Sequence, residues 1–370
     1  MLKVLMLVNW KVEKCEQPSL DKQPPDYIAE GQPYWFYRYF QEPVQVDVLD
    51  ISSIPAIERL EREKLRFYVI QALRAMSRLH RYDLIVSHGM QSGVILSLWR
   101  RLVKGKSKHI VFDIGSFNSA AESGMALKLM QFSSKSIDGL IYHTGTQKQY
   151  YEKYFPWLGN KAEFIKFGTD SLFFDIDSEA ESTGDIPYIV CTGYIKRDWD
   201  TLIKAYGKFV SGLDKKDVVP ELRMIGKQDY HMPENICWPE RAVLKLVPYI
   251  PVRELMKQIG GAAFCVLPLE YFNYSFGQMT LLQQMALGKA VIAAKVPSML
   301  DYVEDGRNGM LYEAGNSLDL CNKMKLLWEN EELRSGLGKR ASAYVKQEHN
   351  EKKMAVQIEQ FYSKIMGESL

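Results

Sequence analysis

Short apolar runs alternate along this chain with longer stretches whose apolar residues recur every three or four positions. The first kind predicts buried strands and the second amphipathic helices. Strand-type runs fall at residues 3–9, 44–49, 83–88, 109–113 and 138–143, and again at 188–193, 222–226, 244–250 and 262–267. Between them lie helix-type stretches at 58–80, 93–102, up to 136, 146–155, 199–210, 252–259, 317–328, 331–346 and 354–366. In 58–80 the repeat of Leu65, Val69, Leu73, Met76 and Leu79 or His80 predicts one continuous helix with an apolar face. Strand–helix alternation in both halves predicts two doubly wound parallel sheets, with ligands at the carboxyl ends of the strands. The boundaries that follow are a first domain at 1–172, an acidic linker near 179–185 and a second domain at 186–349. A terminal helix at 350–370 is expected to pack back on the first domain. Residues 13–33 read as a long polar loop. Tyr34 to Phe40 holds six aromatics in seven positions: either a core segment under the sheet, or a helix facing an acceptor or a membrane.

The most informative stretch is 267–296, which reads strand, loop, helix, glycine stop, strand. Ser275-Phe-Gly-Gln278 has the form of a capping box, with Ser275 as N-cap, Gln278 at the third helical position and Gly277 between them. Met279, Leu282, Met285 and Ala286 would then face a sheet, and Gly288 ends the helix. Free amides beside a bare glycine make an anion site, although capped helices without any ligand show the same pattern.

Composition leaves this picture globular. The chain has 370 residues, 46% hydrophobic and 25% charged, enough for two domains. A net charge of +2 argues against a nucleic-acid binder. The halves differ: residues 1–170 carry 23 Lys and Arg against 18 Asp and Glu (+5), and the remainder 24 against 27 (−3). The basic half is the one expected to meet something anionic. Five cysteines without a C-x-x-C pair, and a first apolar run too short for a secretion signal, predict reduced thiols and a cytoplasmic protein. No run of 18 apolar residues occurs. Metal-ligand spacing, P-loop and G-x-S-x-G signatures are missing, and Asp175-Ile-Asp177 falls by the linker rather than after a strand.

Met285-Ala286-Leu287-Gly288-Lys289-Ala290-Val291, following the Pro268-ended strand, resembles the C-terminal signature of GT-B glycosyltransferases, particularly the retaining group that includes family 4. The family's Glu-x7-Glu positions are occupied here by Ser275 and Gln283. The resemblance implies two Rossmann-like doubly wound domains facing a cleft, and a retaining transfer of sugar from a UDP- or GDP-linked donor without a metal or other cofactor. It implies donor contacts from Ser275, Phe276, Gly277 and Gln278, with Gln283 at the ribose. The Thr192-Gly193 to Trp199 segment resembles the loop that gives an Arg and a Lys to the donor diphosphate. Gly193, Lys196 and Arg197 therefore become donor residues, Arg197 with a catalytic role. Lys227, Tyr249, Ile250 and Glu270 complete the donor set, the last either in place of the lost sugar carboxylate or simply as a surface loop carboxylate. Residues 164–170 resemble the segment that ends the first domain in the family.

On the first domain, Asp113 and His88 end neighbouring strands, and Trp10 follows the first. These three are the acceptor candidates, Asp113 also as a catalytic hydrogen-bond acceptor; helix capping at Gly115-Ser116 is the alternative for Asp113. Arg100, Arg101, Lys104, Lys106 and Lys108, with Trp99, could complement a helix end or touch an anionic membrane. The expected activity is sugar transfer to a saccharide or lipid-linked saccharide, at most peripherally at the inner face of a membrane. The alternative is a two-lobed sugar or nucleotide-sugar binder without turnover.

Overall fold

The structure is a computed structural model. It describes residues 1–367 apart from Leu20, Arg66, Lys104, 115–120, 176–185, Gln228, 233–235 and Cys237. The expected linker, the Gly115-Ser116 cap, Asp177, Arg66, Lys104 and Cys237 therefore lie outside the described residues.

Fourteen strands are described: β1 (Leu2–Val8), β2 (Glu13–Cys15), β3 (Tyr27–Ala29), β4 (Val44–Leu49), β5 (Leu84–His88), β6 (Lys108–Asp113), β7 (Gly139–Tyr142), β8 (Ala162–Phe164), β9 (Tyr188–Thr192), β10 (Glu221–Ile225), β11 (Leu244–Val247), β12 (Cys265–Leu267), β13 (Val291–Ala294) and β14 (Met310–Tyr312). Two six-stranded sheets run in the orders β4-β1-β5-β6-β7-β8 and β11-β10-β9-β12-β13-β14, and β2 pairs with β3. Neighbouring strands pair in parallel throughout, and β1, β5, β9 and β12 are buried along almost their whole length, as sheets covered on both faces require. Chain order reverses at β1 in the first sheet and at β9 in the second, which opens a crevice at the carboxyl end of each. Of the five three-residue strands, β12 ends the predicted 262–267 run, whereas β2, β3, β8 and β14 are too short for a periodicity to reveal.

The helices are α1 (Pro55–Leu60), α2 (Val69–Met76), α3 (Met90–Leu102), α4 (Gly124–Ser134), α5 (Gln147–Tyr154), α6 (Trp199–Ser211), α7 (Val252–Gly260), α8 (Gln278–Ala286), α9 (Pro297–Leu300), α10 (Ser317–Glu329), α11 (Glu331–Glu348) and α12 (Glu351–Met366). The single helix expected over 58–80 is broken. A π-turn at Glu61–Leu65 separates α1 from α2. The cause is polar: Glu61 is buried and its carboxylate accepts from the Ile70 amide at 2.8 Å, which starts α2 afresh. Leu65 and Leu73 are exposed, whereas Gln71 is buried because its amide donates to the Val8 and Leu49 carbonyls at the ends of β1 and β4. Of the two readings for Tyr34 to Phe40 the core one holds: Trp35–Tyr39 is a 3-10 turn with Trp35, Phe36 and Tyr37 buried.

The chain closes by returning to its first half. The Tyr362 hydroxyl on α12 lies 3.1 Å from that of Tyr37, and Glu359 accepts from the Gln41 and Glu42 amides. Where the chain crosses, the Thr169 amide donates to the His349 carbonyl and the Glu351 amide to the Thr169 carbonyl. Arg38 pairs there with both Asp170, at 2.7 Å, and Glu351. Burial pushes the Glu351 carboxyl up to about 7 against the pull of Arg38. The folded chain thus holds this proton at a pH where the unfolded chain has released it. The associated stability is complete below about pH 4.5 and is lost as pH rises through about 7, on the order of 3 kcal/mol in all. Glu351→Gln, which mimics the protonated form, is expected to match the parent at pH 5 and to exceed it at pH 8. Thermal unfolding across that range checks this, and parallel profiles for the two proteins would refute it.

Candidate functional site

The loop leaving β9 builds one wall of the second-domain crevice. Gly193 turns the chain at φ 81°, and a β-carbon there would lie 2.5 Å from the Arg197 Nη2. The missing side chain lets Arg197 fold back beneath its own loop, where it is only 6% exposed. Its Nε and Nη2 donate to the Thr192 carbonyl at 3.1 and 3.0 Å, Nη1 to the Ile195 carbonyl, and Nη2 also to the Thr280 hydroxyl at 3.2 Å. Among the described residues no carboxylate pairs with it. Burial lowers its pKa, and the nearby Cys191 thiol is pushed up by burial to about 12 and stays neutral. A guanidinium fixed by uncharged acceptors carries its full charge into the site. The loop is stitched to the end of β12 through the Asp198 amide on the Pro268 carbonyl, and Asp198 caps α6.

The second wall is the start of α8. Here the structure corrects the sequence reading. Ser275 does not cap the helix: the N-cap is Gly277, in the left-handed region at φ 84°, and no side chain caps it. The left-handed turn points Ser275 away from the helix and across the cleft. Its hydroxyl donates to Gln147 Oε1 at 3.0 Å and lies 3.1 Å from the Thr144 hydroxyl, to which Gln278 also donates at 3.0 Å. Met279 is 40% exposed and does not face the sheet; Leu281, Leu282, Met285 and Ala286 are the buried set. Among the described residues no side chain caps the amides of the first turn, around Thr280 and Arg197.

The interdomain contact draws in residues that sequence reasoning missed. Thr144, Gly145 and Gln147 follow β7, and the strand-end rule could have pointed to them. The Gly145 amide donates to Asp301 at 2.7 Å, Thr146 to Asn273 at 2.8 Å, Lys166 to the Asp301 carbonyl at 2.9 Å and Tyr302 to the His143 carbonyl at 2.8 Å. Asp113 is fully buried behind this contact, accepting from Gln147 at 2.8 Å and from Tyr151. No acceptor hydroxyl reaches it in this conformation. His88 is also sealed: its ring packs among Trp10, Trp35 and Phe112, neither nitrogen has a partner among the described residues, and burial lowers its pKa to about 3. Trp10 is half-buried and donates to the Pro25 carbonyl at 3.2 Å. The three acceptor candidates therefore do not form one open surface.

The remaining donor candidates spread around the crevice. The Lys196 ammonium sits 3.9 Å above the Phe272 ring, and Phe276 lies beside Arg197 with 5.7 Å from guanidinium to ring centre. Lys227 follows β10 and reaches Asp229 at 3.9 Å; Gly226 before it packs beside Gly193, whose amide donates to the Ile225 carbonyl at 2.9 Å. Tyr249 is 80% exposed, Ile250 is half-buried and Glu270 is exposed at the end of β12. Gln283 is buried and donates to Gln23 of the first domain at 2.7 Å. Among the described residues no three His, Cys, Asp or Glu side chains form a metal cluster, and no helix is long and apolar enough to cross a membrane.

Comparison with known proteins places this geometry. Residues 186–330 match the family model described as Glycosyl transferases group 1. Over 84 residues the chain is 39% identical to an uncharacterized glycosyltransferase of Methanocaldococcus jannaschii, 23% of each chain. The chain spans less than a quarter of the length of the curated relatives it matches. Two solved structures superpose over nearly the whole chain. Sucrose-phosphate synthase from Thermosynechococcus elongatus gives a TM-score of 0.69 at 16% identity, covering 99% of this chain and all of that one. HepE from Anabaena, in complex with UDP and glucose, gives 0.65 at 16% identity, covering 98% and 100%. The fold is thus the GT-B arrangement of two parallel-sheet domains.

Gly277 is a sharp test of how the site is shaped. A β-carbon there would meet the buried Leu269 Cδ1 at 2.8 Å, besides the left-handed backbone. Gly277→Ala is expected to cost about 2–3 kcal/mol. Gly315→Ala, at φ 78° with open space around it, should cost only about 1 kcal/mol. Equal losses in denaturant unfolding would show that Leu269 does not constrain the turn.

Proposed function

We propose that this chain, whose second domain carries the group 1 pattern, is a retaining glycosyltransferase. It takes a sugar from a UDP- or GDP-linked donor and passes it to a saccharide or lipid-linked saccharide. The observation that carries the reading is Arg197: a buried cation with no carboxylate partner among the described residues, beside the uncapped start of α8, at the carboxyl ends of a parallel sheet. A donor diphosphate supplies the missing negative charge. As the bond from the anomeric carbon to the β-phosphate oxygen breaks, charge builds on the leaving diphosphate. Arg197, through its charge and its one remaining N–H, and the amides after Gly277 receive it. Lys196 and Lys227 add positive charge at the rim, Tyr249 and Ile250 flank the base, and Gln283 meets the ribose.

The acceptor hydroxyl attacks from the face that the diphosphate leaves. With Asp113 sealed behind Gln147 and Tyr151, the departing diphosphate is the base left for its proton. Asp113 then serves as a positioning residue, holding Gln147 against Ser275. Glu270 is the carboxylate available to the donor sugar. The ligands in the HepE complex, UDP and glucose, agree with such a donor. One observation favours the binding-only alternative: Ser275 and Gln278 are engaged by the first domain rather than free for a sugar.

A surface on the first domain supports a lipid-linked acceptor at an anionic membrane face. Trp99, Leu102 and Val103 on and after α3, with Met125, Leu129 and Phe132 on α4, expose their side chains, and Arg101 lies 4.3 Å above the Phe132 ring. Lys106 and Lys128 add charge nearby, worth about 1 kcal/mol per basic residue at such a surface. Leu102→Glu is expected to reduce co-sedimentation with vesicles containing anionic lipid several-fold, without changing turnover of a soluble acceptor. Unchanged sedimentation would remove the membrane contact.

The transfer itself is tested by release of nucleoside diphosphate from a panel of UDP- and GDP-sugars. Arg197→Ala is expected to cut it at least tenfold, with Arg197→Lys in between and thermal unfolding measured alongside. Turnover unaltered by Arg197→Ala removes the assigned role. Nucleotide-sugar binding without any turnover by the parent protein would favour the binding-only reading.

A further inference from the structure

Resting on the donor reading above, we infer that Gln23, on the first domain, is a specificity-determining residue that grips the nucleoside's ribose together with Gln283. Recognition of the nucleotide is then split between the domains. The pairing is direct: Gln283 Nε2 donates to Gln23 Oε1 at 2.7 Å across 260 residues of sequence. Gln283 lies six residues past Gly277, about 9 Å along the helix axis. That is the span expected between a diphosphate at the first turn and the sugar hydroxyls of its own nucleoside.

Gln23 is held there by construction. Its carbonyl accepts from the Asp26 amide at 2.8 Å, which closes a turn around Pro24 and Pro25. The Pro25 carbonyl in turn takes two donors from the first domain, the Trp10 indole at 3.2 Å and the buried Tyr34 hydroxyl at 2.8 Å. The Glu13 amide donates to the Asp26 carbonyl at 3.0 Å, tying the turn to the small β2-β3 sheet. Trp10, an acceptor candidate in the sequence, is thus a pin for this loop.

The chemistry of the pair suits a vicinal diol. With one N–H of Gln283 bonded to the Gln23 oxygen, Gln283 keeps an acceptor, its Oε1. Gln23 keeps donor capacity on its Nε2, whose two N–H groups have the Asp26 carboxylate and, more weakly, the Met279 sulphur at 4.0 Å as described neighbours. One ribose hydroxyl can donate to the first while its neighbour accepts from the second. A carboxylate would accept from both hydroxyls; the amide pair needs the first domain to supply the donor.

The test is calorimetric binding of UDP (GDP if that is the nucleotide bound) and its 2′- and 3′-deoxy analogues to the full chain. Gln23→Ala is expected to weaken UDP about three- to tenfold and to shrink the penalty for losing a ribose hydroxyl. The Gln23→Ala, Gln283→Ala double variant should bind no worse than Gln283→Ala alone, which separates loss of the clasp from a collapsed loop. UDP binding unchanged or tightened by Gln23→Ala, or losses that simply add, would overturn the inference while leaving the donor reading intact. A parent protein that binds neither UDP nor GDP overturns both.

Discussion

A buried positive charge without a buried negative one is the constraint around which the cleft is arranged. Arg197 is desolvated, and its acceptors are two carbonyls of its own loop and one hydroxyl. Such a group is tolerated only where every local choice serves it. Gly193 gives up a side chain so that the guanidinium can lie against the loop, and the carbonyl ends of Thr192 and Ile195 turn inward. Thr280 presents a hydroxyl from the first turn of α8. That turn brings partial positive charge of its own, so it cannot neutralise the arginine. The site is therefore short of one negative charge in the folded chain alone.

The domains meet through groups that are almost all neutral. Asp113, Gln147, Ser275, Thr144 and Gln278 form a chain in which each member donates to the next in one direction, ending on the Asp113 carboxylate. Hydrogen bonds of this kind are worth little net when both partners can return to water. They specify geometry more than they hold the domains shut. What ties the domains more firmly lies elsewhere: the chain crossover near Thr169 and Asn350, the ion pairs of Arg38 with Asp170 and Glu351, and α12 packed on the first sheet. A strong hinge with weak contacts across the cleft is a frame that can open without unfolding.

Most of the fold was legible because buried parallel strands write themselves as continuous apolar runs. The long strands fell where those runs are, and the alternation with helices implied both sheets. Legibility failed where a polar side chain settles a backbone group at long range. Gln71 is buried because it bonds two strand ends, and Glu61 breaks a helix because it caps the next one; neither shows in a periodicity. The same limit applied to the site. Gly193, Arg197 and the start of α8 were identifiable, since strand-end glycines and helix starts are local signals. Ser275-x-x-Gln278 was also local and misled. Both side chains had a better partner 130 residues away, on a segment with no motif. Asp113 and His88 were correctly placed at strand tips, but nothing in one sequence tells whether a tip is open or roofed.

On the donor reading proposed above, neutral Ser275 and Gln283, at the two positions where the resemblance implies acids, suit the same charge deficit. Carboxylates at those positions would sit near Arg197 and the α8 amides and supply internally some of the negative charge that the site lacks. Each would then compete with an anionic ligand. Neutral side chains leave the electrostatics to Arg197 and the helix start, and confine themselves to shape and hydrogen bonding. The cost is grip, because an amide or hydroxyl holds a sugar hydroxyl less firmly than a carboxylate does. Neutral groups recover it by number and fixation rather than by strength. That is what the cleft displays: amides and hydroxyls from both domains bonded to one another, beside a buried arginine whose acceptors are all uncharged.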